Sequence, residues 1–205
     1  MTDKLTPLAK ALAERSDLRA TPLTAFRQAR QWWLEGRRLN LSALAEELGV
    51  SRATLMRWVG NKELLLGEIL WSLYKAEFDR AKTRADETPD LTGLDYLAQI
   101  YHDINEALID AKPLRQFLSD DPKFGLQVLT ANVSGLQERL VGVWEALIVQ
   151  QLKKGTIRPQ LPAGELAYYI VRIGQGALYS DIICGREPAL EPADTAFRLL
   201  FSELR

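Results

Sequence analysis

Residues Asn40 to Lys62, NLSALAEELGVSRATLMRWVGNK, read as two short helices joined by a tight turn. Leu41, Leu44, Ala45 and Leu48 recur at spacings of three and four, so they form one apolar stripe with Glu46 and Glu47 turned to water. Gly49 can take the left-handed conformation that closes a helix, and Val50 plugs the corner that follows. Ser51 is a good N-cap for the second helix, whose buried stripe is narrow: Leu55 and Val59, four apart. Arg52, Ala53, Thr54, Met56, Arg57 and Trp58 occupy the remaining sides, a face too polar and cationic for a core. Such a helix has the shape and charge to enter a DNA groove.

The rest of the chain keeps helical periodicity and shows no alternating strand pattern and no internal repeat. Leu5, Leu8 and Leu12 predict a short arm helix over residues 5–16. Pro22 opens a helix to about Gly36, with Leu23, Phe26, Ala29, Trp33 and Leu34 expected inward. Asn61 caps a long connecting helix that buries Leu65, Leu66, Ile69, Leu70, Leu73, Tyr74 and Phe78 and runs to about Ala85. A further amphipathic helix carries Leu94, Leu97, Tyr101, Ile104 and Leu108. One or two short helices bend around Asp121, Pro122 and Gly125 between Pro113 and Thr130. Leu136, Leu140, Val143 and Leu147 mark the next helix, and Pro162 starts one that is apolar nearly all round and ends at Gly185. Pro192 starts the last, with Phe197, Leu200, Phe201 and Leu204 on one side. The expected fold is all-α. It divides into an arm at residues 1–20, a three-helix helix-turn-helix domain at 21–66 and a ligand-binding and dimerisation bundle at 67–205.

Composition excludes several alternatives. No apolar stretch approaches the ~20 residues of a membrane-spanning helix, and the N-terminus lacks the apolar core of a signal peptide, so a cytoplasmic protein without membrane contact is expected. One cysteine, Cys184, and one histidine, His102, give neither a disulfide framework nor a zinc cluster, and no cofactor fingerprint appears. The net charge of -1 hides an asymmetry: residues 1–62 hold 11 Lys and Arg against 6 Asp and Glu, whereas the remainder holds 15 against 21. A basic N-terminal third on an acidic remainder suits one module that approaches phosphates and another that does not.

Phosphate contacts fall to Lys62, Ser51, Asn61 and the hydroxyl of Ser42, and base reading to Arg52, Thr54 and Arg57. An arginine can hold guanine by two parallel hydrogen bonds, and a threonine methyl can meet that of thymine. Trp58 fits two placements, along the sugar-phosphate edge or packed against the preceding helices beside Trp33. Arg57 could instead pair with Glu46 or Glu47. One recognition helix touches too few base pairs to select a site, so the module should be doubled. The helix from Glu165 to Cys184 is the candidate dimer surface, with Gly174, Gly176 and Ala177 permitting close approach and the last helix completing an intersubunit bundle. A fully buried central helix is the competing reading. Tyr74, Phe78, Tyr101, Phe117, Trp144, Tyr168 and Tyr169 could wall a ligand cavity. His102, Asn105, Asn132, Arg172 and Gln175 could orient its occupant, a small and mostly apolar molecule. For His102 a structural hydrogen bond beside Tyr101 is the alternative.

The helix-turn-helix resembles that of the TetR family of bacterial transcriptional regulators at the Leu44 and Ala45 pair, Gly49, Val50, Ser51, the Thr54 and Leu55 pair, and Lys62 with the apolar run Leu64 to Leu66. The resemblance covers roughly Leu23 to Leu70. Met56, Trp58 and Val59 stand where the family usually has tyrosine, histidine and phenylalanine, so the family's tyrosine–phosphate contact does not carry over to Met56. What the resemblance implies is a helical homodimer that binds a palindromic DNA operator, most often as a repressor, and responds to a small-molecule effector. The tail also resembles regulators of lactone-signal breakdown in actinobacteria, which bears on the inducer alone. An enzyme lacks support, since no nucleophile, phosphate loop or metal cluster is present. A non-catalytic ligand-binding or scaffold bundle, with its N-terminal module contacting protein, is the other alternative.

Overall fold

Prolines, glycines and small polar caps set the helix limits in the computed structural model, which describes residues 20–202. Those residues form ten α-helices and one 3-10 turn, with no strand. The arm helix expected over residues 5–16 lies outside the described residues. So does Leu204.

The N-terminal module comprises α1 (Pro22–Leu34), α2 (Leu41–Glu47) and α3 (Arg52–Val59). Thr21 starts α1 through a reciprocal cap with Thr24, whose amide donates to Thr21 Oγ1 at 3.1 Å. Ala25, Ala29, Trp32, Leu44 and Leu55 are essentially sealed from solvent. The alanines let neighbouring helices approach closely. Ala29 and Trp33 are buried as expected, but Leu23 is 53% exposed and Leu34 49%, and Trp32 is buried in their place. Positions 25, 29 and 32 follow i, i+4, i+7 spacing, and that face wins because it also seats the larger Trp32 ring. The Arg37 guanidinium lies 3.5 Å from the centre of that ring.

Helix α4 (Lys62–Asp86) is 25 residues long, about 37 Å, and belongs to both parts of the molecule. Its first turns bury Leu65, Leu66 and Ile69, and its later turns bury Phe78, Ala81 and Ala85. It packs on α5 (Gly93–Asp110), which is followed by α6 (Lys112–Asp120) and α7 (Pro122–Thr130). Asp121 makes the bend between the last two, accepting the Phe124 amide at 3.1 Å. A 3-10 turn (Asn132–Ser134) then leads to α8 (Leu136–Lys154), α9 (Ala163–Ile183) and α10 (Leu190–Leu199). Helix α10 begins two residues before Pro192, leaving that proline in the first turn, where no amide hydrogen bond is lost.

Trp144 is the hub of the bundle. Its indole meets Phe78 edge-on at 5.7 Å and Tyr101 at 5.9 Å, and Tyr101 stacks on Phe197 at 4.5 Å. Helix α9 is not buried on all sides. Leu166, Ile170, Val171, Gly174, Leu178 and Ile182 face the core, while Tyr168, Tyr169, Gly176 and Ser180 are exposed. Gly174 therefore serves the interior and not a helix surface.

Candidate DNA-reading helix and effector cavity

Local hydrogen bonds fix the angle between α2 and α3. Asn40 Oδ1 accepts the amides of Ser42 and Ala43 at 2.9 and 3.2 Å, starting α2. Gly49, at φ +65°, ends it: the Val50 amide reaches back to the Ala45 carbonyl at 2.9 Å and the Gly49 amide to Glu46 at 3.0 Å. Ser51 then caps α3, accepting the Thr54 amide at 3.1 Å.

The outward side of α3 presents Arg52, Ala53, Met56 and Arg57 to solvent, with Leu55 fully buried beneath. No carboxylate among the described residues pairs with Arg52 or Arg57. Glu47 instead accepts from Gln28 at 2.7 Å and Arg37 at 3.4 Å. Arg57 donates to the Thr54 hydroxyl at 3.3 Å, and that oxygen lies 2.9 Å from Ser51 Oγ, so the threonine's polar end is engaged within the helix. Ser42, Ser51 and Asn61 are all exposed. Trp58 is half-buried against the module's core, the packing alternative for this ring, although Trp33 pairs with Phe117 and not with it.

Lys62 departs from its expected position. Its ammonium lies over the Phe124 ring, 4.7 Å from the centre, turned toward α7. Burial, followed by the charge of Arg38, holds its pKa below the ordinary lysine value. Lys62 thus belongs to a seam between the module and the bundle. Trp33 meets Phe117 edge-on at 4.9 Å, and Gly36, at φ +70°, is so close to Gln116 that a Cβ there would lie 2.7 Å from Oε1. Two contacts hold α4 from the other side. A Cβ on Gly67 would lie 2.3 Å from the Ser134 carbonyl oxygen, and Arg139 makes a paired hydrogen bond with Glu68.

Inside the bundle is a cavity of about 60 Å³. Its polar groups come from Tyr74, Tyr101, Asn105, Trp144, Gln175 and Tyr179, and aliphatic side chains supply the rest of its wall. Trp144 Nε1 donates to the Tyr74 hydroxyl at 2.8 Å, so those two satisfy each other. Burial raises the pKa of Tyr74, Tyr101 and Tyr179, which keeps them neutral donors at physiological pH. Leu70, Tyr74, Leu108 and Leu114 also line an outer groove of about 710 Å³ between α1, α4 and the α5–α6 corner. The two spaces share these four side chains in their walls.

Of the twelve residues expected around a ligand, Tyr74, Tyr101, Asn105, Trp144 and Gln175 line this cavity and Phe78, His102, Phe117, Tyr168, Tyr169 and Arg172 do not, while the Asn132 side chain lies outside what the structure describes. Phe78 is buried behind Trp144. Phe117 faces the N-terminal module. His102 turns away from Tyr101 to pair with Asp194 of α10 at 2.6 Å, the structural alternative for it. Tyr169 is 42% exposed on the outer side of α9, beside Tyr168. Arg172 lies over Tyr168 and donates to Gln175 Oε1 at 3.4 Å. Tyr179 was not among the sequence candidates. The signal for it was Gln175 four residues earlier: two polar groups on one face of an otherwise apolar helix.

Comparison with known proteins agrees with this architecture. A family model described as Tetracyclin repressor-like, C-terminal domain, matches residues 92–202, more than half of the chain. No curated protein sequence matches. Among solved structures, the chain is similar to the TetR-family transcriptional repressor QsdR from R. erythropolis, with a TM-score of 0.79 and 24% identity over 90% of this chain and 95% of that one. It is also similar to FadR from Bacillus subtilis, solved in complex with stearoyl-CoA, with a TM-score of 0.58 and 13% identity over 90% and 100% of the two chains. AlkX, a TetR-family repressor from Dietzia implicated in n-alkane biodegradation, gives 0.57 and 19% over 90% and 99%. At these identities the likeness is one of fold.

Proposed function

Because the chain belongs to the TetR family of transcriptional regulators, we propose that it is a repressor that binds a palindromic operator as a homodimer and is released by a small, mostly apolar inducer. The observation that carries DNA reading is the exposed α3 face, where Arg52 and Arg57 stand without carboxylate partners among the described residues. Arg52 reads a guanine, Arg57 a neighbouring base, and the methyl of Thr54 a thymine. Ser42, Ser51, Asn61 and the amides at the starts of α2, α3 and α4 hold phosphates. Lys62 reaches a phosphate only by leaving Phe124, so we give it a secondary part. A scaffold module that contacts protein would not show salt-sensitive retention on nonspecific DNA.

For the dimer surface we take the outer stripe of α9, where Tyr169, Ile173, Gly176, Ala177 and Ser180 recur at helical spacing and are exposed or half-buried. Leu199 of α10, 65% exposed, adds to it. A second copy covers this stripe in a four-helix bundle.

Induction follows from size. A ligand site usually needs about 300–1,000 Å³, so a cavity of about 60 Å³ must widen to admit one. Widening pushes Leu70 and Tyr74 of α4 and Leu114 of α6, and α6 also carries Gln116 and Phe117 against the N-terminal module. Paired recognition helices must stay ~34 to 36 Å apart to enter successive major-groove turns, so small displacements release DNA. Stearoyl-CoA in the B. subtilis protein is a precedent for an apolar chain as ligand. Here we favour an uncharged molecule such as a lactone, since no charged side chain among the described residues lines the cavity.

The test is selection of bound fragments from random DNA at fixed salt, repeated with Arg52→Ala. The variant should lose ~1 to 3 kcal/mol on the preferred site and relax one position per half-site. Uniform weakening on every sequence would make Arg52 a phosphate contact and refute the reading role.

A further inference from the structure

Tyr101 is 3% exposed, and its hydroxyl makes no hydrogen bond to the described residues, although it borders the cavity lined by α4 to α9. Its surroundings hold the ring firmly. Phe197 stacks on one face at 4.5 Å, Trp144 stands 5.9 Å away, and Asn105 has already committed its Nδ2 to the Tyr101 carbonyl at 2.9 Å. With the ring stacked in place the hydroxyl stays at the cavity edge, and the uncommitted Asn105 Oδ1, which borders the same point, is the neighbouring acceptor that an effector's oxygen must outcompete. Opposite the hydroxyl sits Gly174, the one lining position without a side chain. A Cβ there would stand 3.3 Å from the hydroxyl and 3.1 Å from Asn105 Oδ1. The missing side chain leaves a small polar notch in an otherwise aliphatic wall.

A buried donor left unpaired costs about 1 to 3 kcal/mol, and a molecule that supplies an acceptor there recovers much of that cost. Of the other two cavity phenols, Tyr74 is already bonded by Trp144, and Tyr179 stands beside Gln175 on the same face of α9. Resting on the cavity being the effector site, we propose that the Tyr101 hydroxyl is the specificity-determining donor, selecting apolar effectors whose buried end carries a carbonyl- or ester-type oxygen seated against Gly174. The distance to the exit sets a length. Leu108, in the wall shared with the outer groove, lies seven residues along α5 from Tyr101, a rise of about 10 Å. The effector is then an elongated molecule with its acceptor at the inner end and its tail toward the groove.

Two probes of similar length separate acceptor from hydrocarbon, 2-decanone and 1-chlorononane. Binding would be followed by quenching of tryptophan fluorescence in the full chain. Wild type should hold the ketone about tenfold more tightly. Tyr101→Phe should bring the ketone to within about twofold of the chloroalkane, leave the chloroalkane unchanged and keep or raise thermal stability, since an unpaired hydroxyl is removed. Gly174→Ala fills the acceptor's seat and should weaken the ketone selectively. Equal affinity for both probes in wild type, or a ketone preference that survives in Tyr101→Phe, would overturn the assignment while leaving the cavity as an effector site. If neither probe binds wild type, the reading of the cavity as an effector site falls, and this inference with it.

Discussion

Gly67 sets two measurable effects against each other. It lies inside α4, where glycine costs roughly 0.5–1 kcal/mol relative to alanine, so on helix propensity alone Gly67→Ala should stabilise the protein. Packing says the reverse. The new methyl would sit 2.3 Å from the Ser134 carbonyl oxygen and 2.9 Å from its Cβ. The first neighbour is backbone, and Ser134 is itself tied down, its hydroxyl donating to the Val128 carbonyl at 2.6 Å. Relief requires the 3-10 turn and α4 to part by about 1 Å, an overpacking change that costs about 1–3 kcal/mol. The net expectation is destabilisation of about 1–2 kcal/mol. In urea, at one protein concentration, the midpoint should fall by about 0.5 M with unchanged slope. Gly142→Ala is the control. It lies in α8, is exposed and has no atom within 4 Å of the new methyl, so the midpoint should rise. Because Gly67 and the neighbouring Glu68–Arg139 pair hold α4 just beyond the N-terminal module, Gly67→Ala should also weaken operator binding, and Gly142→Ala should not. If Gly67→Ala stabilises the protein as much as Gly142→Ala does, the 3-10 turn is not an anchor for α4.

Two further outcomes are expected. At exposed Gly176 a Cβ would have no neighbour within 4 Å among the described residues, so Gly176→Leu should hold helical content while sedimentation shows dimers converted to monomers; a variant that remains dimeric would move the interface off this stripe. His102 is bonded to Asp194, which, with smaller contributions from Asp194, Glu106 and Asp103 charges and against some burial, raises its pKa. A raised folded pKa adds stability that is complete below the unfolded value of about 6.5 and fades as pH rises through the folded value. His102→Gln should therefore lower the urea midpoint at pH 6 and have little effect at pH 8.5. The loss should stay under about 1 kcal/mol because both side chains are partly exposed. A penalty that is equal at both pH values would mean the contact acts by packing alone.

The helix-turn-helix was legible because its determinants are local. The Asn40 and Ser51 caps, the reversal at Gly49 and the Leu44–Leu55 packing lie within 23 residues, and each follows from spacing and side-chain type. Helix phase was harder wherever apolar residues crowd every side. In α1 the adjacent Trp32 and Trp33 support two different inward faces, and the choice depends on α3 and α4, which spacing within α1 does not encode. Helix α9 has the same ambiguity, so Gly174 and Gly176, two residues apart, could not be assigned to interior and surface from periodicity. Lys62 shows a different limit. Its position in the helix-turn-helix pattern suggests a phosphate contact, but an aromatic ring from α7, some sixty residues later, takes its side chain.

The cavity carries this one step further. Phe78, Phe117 and Tyr169 have the chemistry of a ligand wall and occupy other places, because aromaticity marks burial and not the space being enclosed. The residues that do converge with polar groups fall in pairs four apart, Tyr101 with Asn105 and Gln175 with Tyr179, each pair on one face of an apolar helix. Facing pairs of this kind persist only where something offsets the cost of burying them. The Trp144–Tyr74 bond accounts for itself, and Gln175 has Arg172 and the Leu129 carbonyl, but the Tyr101 hydroxyl is left without a partner among the described residues. On the proposed reading of the cavity as the effector site, effector choice rests on the Tyr101 hydroxyl, the polar group of the wall left open to a new partner. Substitution at Tyr101 or Gly174 should then change the proposed effector preference without touching the packing that holds α3 against α1 and α2.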